Sequence, residues 1–352
     1  MINKHSIYNW LFFPLLASLL AGSAASCIND PAMEEDTSGK STLSIMVRGV
    51  TTNPEQDGYD EYIETLRIIG FDAKRDVVCN QLFDYDASTD DVPDFIIQGT
   101  GEDTKINITQ TLEEAFQGGT CDFYFIANEK DYTVHNTQSN TQSLSNFLDE
   151  VSLDGLKNCV IAYSGKEPGA TNTLPILMTT SVRTTLRPGD NTINNIELVR
   201  CFAKIQLKIV DETGIASIGG ENKLTGTYPG SYSLWNGGTY IDWYEGGAYS
   251  VSLTLTRKAE DNAISHTSQE IYFPERLFDQ NSNTEDNALK FSFTLNGTSY
   301  TAAVADAAGK DFNIRRNTHY TVIATLKKKE TVTFNVMVNA WGEKTMDVPA
   351  FE

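Results

Sequence analysis

The chain has 352 residues, 40% of them hydrophobic, and a formal net charge of −20. That length permits two domains of ordinary size. The acidity excludes a nucleic-acid partner, because no basic surface is available to neutralise phosphates. There is no HExxH, no GxSxG, no paired metal-ligand spacing around His135, His266 or His319, and no phosphate-cradling glycine loop. Nothing in the sequence therefore calls for an enzyme, a metal or a cofactor.

Lys4 and His5 give a weakly basic start, and Trp10 to Leu20, "WLFFPLLASLL", is an apolar run of 11 residues. A membrane-spanning helix needs about 20. Small residues, "AGSAASC", follow and end at Cys27. This is the pattern of a secretory signal over residues 1–26. Cys27 at its end is the expected lipid attachment site of a bacterial lipoprotein, although Ala24 stands where such signals usually carry leucine. Ordinary cleavage beside an incidental cysteine is the alternative. Residues 27–41 are polar and acidic and read as a tether.

"LSIMVRGVTT", residues 43–52, then alternates Leu43, Ile45 and Val47 with Ser44, Met46 and Arg48. A period of two predicts a half-buried strand. "YIETLRIIGFDA" (62–73) and "CDFYFIAN" (121–128) also read as strands. "DYDASTDDVPD" (84–94) fails as a calcium loop. Counted from Asp84, Thr89 and Phe95 stand where an EF-hand needs Gly and Glu, so it reads as a solvated acidic loop. "TLEEAFQGG" (111–119) suggests a short helical turn ended by glycine. In "SLSNFLDEVSLDGL" (143–156), Leu144, Phe147, Leu148 and Val151 fall at helical spacing.

Pro188 and Gly189 punctuate "SVRTTLRPGDNT" (181–192) and suggest a boundary there. Beyond it, Ala203, Ile205, Leu207 and Ile209 alternate with Lys204, Gln206 and Lys208, as in a sheet with one wet face. Asn296-Gly297, between alternating runs, suits a two-residue type I′ hairpin. In "TVTFNVMVNAW" (331–341), Val332, Phe334, Val336 and Val338 share one face. Short strands broken by turn signals indicate sandwiches, one over 42–188 and a second over 189–352. Cys79, Cys121, Cys159 and Cys201 contain no CxxC pair. They read equally well as disulfides or as small buried hydrophobes. Trp235, Tyr240, Trp243 and Tyr244 offer aromatic faces for a sugar, or simply fill hairpins.

Several segments in order resemble one family. "FNIRRNTHYTVIATLK" (312–327), with Arg316, Asn317 and Tyr320 as its core, is similar to a segment near the C-terminus of fimbrillins, the type V pilins of Gram-negative gut and oral bacteria. "IETLRIIGFDAKRDVVCN" (63–80) resembles their N-terminal strand pair, and "ELVRCFAKIQLKI" (197–209) the opening of their second domain. "IYFPERLF" (271–278) resembles a further motif, with Arg276 where asparagine is commoner. The likeness runs from about residue 41 to the end. It implies an all-β fold with minor helix: two tandem antiparallel, transthyretin-like β-sandwich domains. It also implies export as an outer-membrane lipoprotein and cleavage between Arg48 and Gly49 by an Arg-specific surface protease. Polymerisation by donor-strand exchange would follow, with Val332, Phe334, Val336 and Val338 on the donor. The implied partners are other pilin subunits, including accessory tip and anchor pilins, and a host glycan or protein. An accessory tip or anchor pilin is the near alternative, and a carbohydrate-binding surface lipoprotein the distant one.

Overall fold

The computed structural model describes residues 42–48, 63–84, 96–98, 105–112, 116–137, 140–163, 175–235, 247–259, 263–327 and 331–340. The signal, the tether with Cys27, and Gly49 lie outside them.

Four sheets stack in two pairs, and a fifth forms an extra layer. The first contains β1 (Thr42–Arg48), β4 (Ile96–Gln98), β5 (Lys105–Thr111) and β11 (Asp190–Glu197), in the order β11-β1-β5-β4. The second contains β2 (Thr65–Asp72), β3 (Val77–Asp84), β6 (Gly119–Ala127), β10 (Met178–Leu186) and β12 (Val199–Arg200), in the order β12-β10-β6-β2-β3. Between them Ile45, Ile108 and Ile193 meet Leu66, Ile68, Phe123 and Phe125 in one core.

The second sheet is covered on its other face as well. There Ile69, Phe71, Tyr124 and Ile126 pack on helices α1 (Leu144–Asp149) and α2 (Leu153–Lys157). A small sheet of β7 (Thr133–Thr137), β8 (Asn140–Ser143), β9 (Val160–Ala162) and β15 (Ser231–Ser233) completes this layer, in the order β15-β9-β7-β8. β2 is consequently buried along both faces. Arg67 reaches out of it into this layer, where its guanidinium holds Glu129 at 2.8 Å and Asp149 at 2.9 Å. The single helix expected over 143–156 is split. Ser143 caps α1 by accepting from Asn146 N–H, and Ser152 starts α2 by accepting from Gly155 N–H. A serine that binds backbone N–H ahead of it favours a new start over continuation.

The second pair of sheets follows Cys201. One contains β13 (Phe202–Asp211), β17 (Leu255–Ala259), β18 (Ile264–Ser268), β22 (Thr318–Leu326) and β23 (Val332–Ala340), in the order β17-β18-β13-β22-β23. β19 (Ile271–Pro274) also pairs with β13. The other contains β14 (Ile218–Thr227), β16 (Ala248–Ser252), β20 (Lys290–Leu295) and β21 (Thr298–Ala303), in the order β16-β14-β20-β21. Ala203, Ile205, Leu207 and Ile209 point into the core between them, with Phe291, Phe293 and Val322. Asn296 and Gly297 have φ of 48° and 77°, both left-handed, as a type I′ turn requires.

Among the described residues, three details refine these expectations. The sheets are antiparallel except for two parallel pairs, β1 with β11 and β13 with β22. The turn at Pro188–Gly189 is a corner within the first sandwich, because the next strand, β11, returns to pair with β1. The chain leaves that sandwich only after β12, at Cys201. Thr111 closes β5 and Gly119 opens β6, and the short helical turn expected between them falls on residues 113–115, which lie outside the described set.

Candidate functional site

β1 has a neighbour on each side. It runs antiparallel to β5 from Thr42↔Thr111 to Arg48↔Lys105. It runs parallel to β11 from Thr42↔Asp190 to Arg48↔Glu197, with one irregularity between Ile45 and Val47. Ile45, 2% exposed, lies opposite Ile108 and Ile193 across the two ladders. Arg48 is the last residue of this central strand. Removing residues up to Arg48 would therefore open two strand edges at once, those of β5 and β11. It would also uncover a floor that includes Ile108, Ile193 and Ile196. An unpaired edge over an apolar floor is a template for another strand.

β23 is the opposite case, among the described residues an edge strand paired with β22 alone, from Leu326↔Val332 to Thr318↔Ala340. Val332, Phe334, Val336 and Val338 lie opposite Leu326, Ala324, Val322 and Tyr320, all buried. The four are thus on the inward face, but they are poorly covered. Phe334 is 45% exposed and Val338 36%. The Phe334 ring packs only at 6.2 Å from Phe293 and 6.3 Å from Tyr300. A cleft of about 370 Å³ separates β23 from β21, lined by Ala302, Ala303, Ala305, Phe312, Val322 and Phe334. Facing sheets that do not close at their edges leave the edge strand loosely held.

The Arg316-Asn317-x-x-Tyr320 core lies where the two sandwiches meet. Arg316 donates from Nε to Glu275 at 2.9 Å, from Nη1 to the Leu234 carbonyl at 3.0 Å and from Nη2 to the Ser233 carbonyl at 2.6 Å. Asn317 adopts φ 53°, which asparagine tolerates better than most residues, and its N–H donates to the Phe202 carbonyl. The Tyr320 hydroxyl accepts from Arg315 N–H and donates to the Asn313 carbonyl. Each motif residue thus ties down backbone at the junction. Arg276 does similar work, donating to the carbonyls of Thr227 and Asn287 and lying over the Phe278 ring.

Other candidates separate. Trp235 is half-buried, donates its indole N–H to the Leu156 carbonyl and packs edge-on to Tyr124 at 5.1 Å. It packs into the layer over the second sheet. Tyr240, Trp243 and Tyr244 lie outside the described residues. His135, His266 and His319 sit on three different strands, β7, β18 and β22. Among the described residues no three His, Cys, Asp or Glu side chains converge to hold a metal ion. Cys79, Cys121, Cys159 and Cys201 are buried, and none forms a disulfide. Burial, with Asp72 and Asp122 nearby, pushes the Cys121 thiol up to about 11. The identity of the two strands that flank β1 and the role of Glu275 are the features the sequence reading missed. Both depend on partners far along the chain, and no local pattern reports them.

No protein-family model matches the chain, and no curated protein matches it by sequence. Solved structures do match. A fimbrial assembly protein from Parabacteroides distasonis superposes with a TM-score of 0.51 at 12% identity, covering 85% of this chain and 98% of its own. A candidate cell adhesion protein from Bacteroides uniformis gives 0.45 at 13% identity, covering 87% and 99%. A candidate adhesin from Bacteroides thetaiotaomicron gives 0.47 at 10% identity, covering 86% and 97%. The first of these establishes a shared all-β sandwich fold along nearly the whole of that protein.

Proposed function

We propose that the chain is a structural subunit of a surface fimbria, exported as a lipoprotein acylated at Cys27 and activated by cleavage between Arg48 and Gly49. β23 of one copy then replaces β1 of the next. The observation that carries this reading is the position of β1, a central strand whose last residue is the arginine. The likeness in fold to a fimbrial assembly protein supports it, as does the order of the fimbrillin-like segments. The partners on this reading are other pilin subunits and an Arg-specific protease at the cell surface.

The change in neighbours supports transfer, set against the cost of ordering the donor and of leaving the β22 edge unpaired. In its own sandwich β23 has one neighbour, whereas in the vacated slot it would have two, β5 and β11. Each additional ladder hydrogen bond contributes roughly 0.5–1.5 kcal/mol. Completing the burial of Phe334 and Val338 adds about 1 kcal/mol apiece. Backbone bonds supply affinity and the alternate side chains supply register. Because donor and slot are on different faces of one chain, the contact is heterologous and extends into a fibre.

The test is the N-terminal sequence and intact mass of the protein taken from the surface of its native host. A chain beginning at Gly49 supports the reading, and an Arg48→Ala chain should then stay uncleaved and monomeric. A chain still beginning at acylated Cys27 overturns the stalk role and leaves an anchor subunit.

A further inference from the structure

We infer that successive copies also lock through a knob and a cleft: Ile215 of one copy seats against Ala73, Val77, Val78 and Phe116 of the next. The inference rests on the strand-exchange reading above and adds a second contact to it.

The knob is built for display. The Asp211 carboxylate accepts from the N–H groups of Thr213, Gly214 and Ala216 and from the Thr213 hydroxyl, and Ile215 N–H donates to Thr213 Oγ1. Gly214, at φ 73°, makes the turn. These bonds fix a short loop that holds Ile215 84% exposed, the most exposed large hydrophobic among the described residues. A single exposed aliphatic residue is ordinary on a surface. What distinguishes this one is its rigid support and its position.

The position follows from strand direction. β13 and β22 run parallel away from the junction and end at Asp211 and Leu326, where Glu212 N–H donates to the Leu326 carbonyl. The knob therefore stands beside Leu326, where β22 ends ahead of the donor β23. In the first sandwich β2 ends at Asp72, β6 begins at Gly119 and β1 begins at Thr42, all at the end remote from Arg48 and the junction. A cleft of about 420 Å³ opens there, floored by Ala73, Val77, Val78 and Phe116, with Asp72, Lys74 and Asp76 at its rim. Val77 is 41% exposed.

Reach brings the two together. A five-residue connection spans at most about 17 Å, whereas the seven residues of β1 run roughly 23 Å. The Arg48 end of the slot adjoins the receiving copy's own second pair of sheets, since Arg48 pairs with Glu197 just before the chain passes through Cys201 into β13. The donating copy therefore approaches the Thr42 end, and this limited reach keeps the donor's first residue there, so that it runs parallel to the strand it replaces. That places the Asp211–Ala216 loop of the donating copy against the cleft of the receiving one. The contact is again heterologous, so it can repeat along a fibre.

The test uses full-length chains carrying Ile215→Cys, Val77→Cys or both, produced in the native host, with surface fibres oxidised and run without reductant. The double variant should give a covalent ladder, a mixture of the two single variants should stop at dimers, and each single variant alone should give none. Ile215→Asp, on a fully solvated side chain, should leave the fold intact and weaken subunit association on the order of ten-fold, read as shorter fibres. Fibres of normal length from Ile215→Asp, with no cross-link in the double variant, would overturn this contact and leave strand exchange standing. Cross-linking of Ile215→Cys to itself would also overturn it, since it marks a symmetric contact. Absence of fibres from the unsubstituted chain would overturn the polymer reading and the contact together.

Discussion

Arg316 offers the sharpest test of how the two sandwiches are held together. Its side chain is 2% exposed and that of its partner Glu275 10%, with Nη2 and Oε2 2.8 Å apart. Replacing Arg316 by methionine keeps most of the volume and removes every donor. The Glu275 carboxylate then loses its counter-charge, the Ser233 carbonyl loses the guanidinium donor, and the Leu234 carbonyl is left with the Thr179 hydroxyl and the Cys201 thiol. Breaking one half of a buried pair costs about 3–5 kcal/mol. A folded chain of this kind has roughly 5–15 kcal/mol in all, so Arg316→Met should remove about a fifth or more of it. Urea unfolding followed by tryptophan fluorescence is the assay, because Trp235 adjoins Ser233 and Leu234 in the affected stretch. Adding Glu275→Leu should recover more than half the loss, since the stranded charge disappears. Arg316→Lys should fall between, because an ammonium cannot spread its donors over three acceptors in one plane. A loss below about 1 kcal/mol for Arg316→Met, or no recovery in the double variant, would refute the account of a desolvated clamp.

Two further outcomes are expected. Burial alone would raise the Asp211 carboxyl, but the Thr213 hydroxyl and the N–H groups of Ala216, Thr213 and Gly214 outweigh it and hold the group below its ordinary 3.8. A depressed carboxyl stabilises the fold above its unfolded pKa, and that contribution is lost as pH falls through the folded value. Thermal stability should therefore drop as pH falls below about 4, and Asp211→Asn should flatten this part of the profile while lowering stability at pH 7 by about 1–3 kcal/mol; an unchanged acid limb in that variant counts against the assignment. At Gly70, an added Cβ would lie 2.6 Å from the Phe123 ring, 2.9 Å from Val78 Cγ2 and 3.0 Å from Cys79 Sγ. Gly70→Ala should accordingly destabilise by about 1–3 kcal/mol in chemical denaturation, and a neutral result would mean that β2 can shift within its sheet.

What was legible in the sequence followed a simple rule of locality. The alternation from Ala203 to Ile209 gave β13 its inward face, and Asn296-Gly297 gave its turn, because each signal is written within a few residues. β2 carries no alternation, since "TLRIIGFD" is covered on both sides, and that reflects a third layer assembled from residues 132–163 and 231–235. The parallel return of β11 to β1 spans about 150 residues and leaves only the Pro188–Gly189 corner as a local trace. The candidate site divides in the same way. That a strand ends at Arg48 could be read directly and that it is an inner strand followed from the family resemblance, but its partners could not be read, because β5 and β11 come later. The spacing of Val332 to Val338 gave the face, whereas the exposure of Phe334 and Val338 depends on the open cleft beside β21.

The placement of β15 has a consequence for biosynthesis. Ser231–Ser233 pairs with Val160–Ala162, and Leu234 N–H donates to the Cys159 carbonyl, so a segment from the later half of the chain seals a layer belonging to the earlier half. During N-to-C emergence the β9 edge stays open until about seventy further residues have arrived. Closing so long a loop is slow relative to local pairing. Over that interval the Cys159 thiol, which in the folded chain is buried in one cluster with Cys201 and Leu234, lacks part of its cover. The maturing chain thus passes through a window in which it is open both to oxidation and to edge pairing with its neighbours, and that window ends only when Leu234 docks.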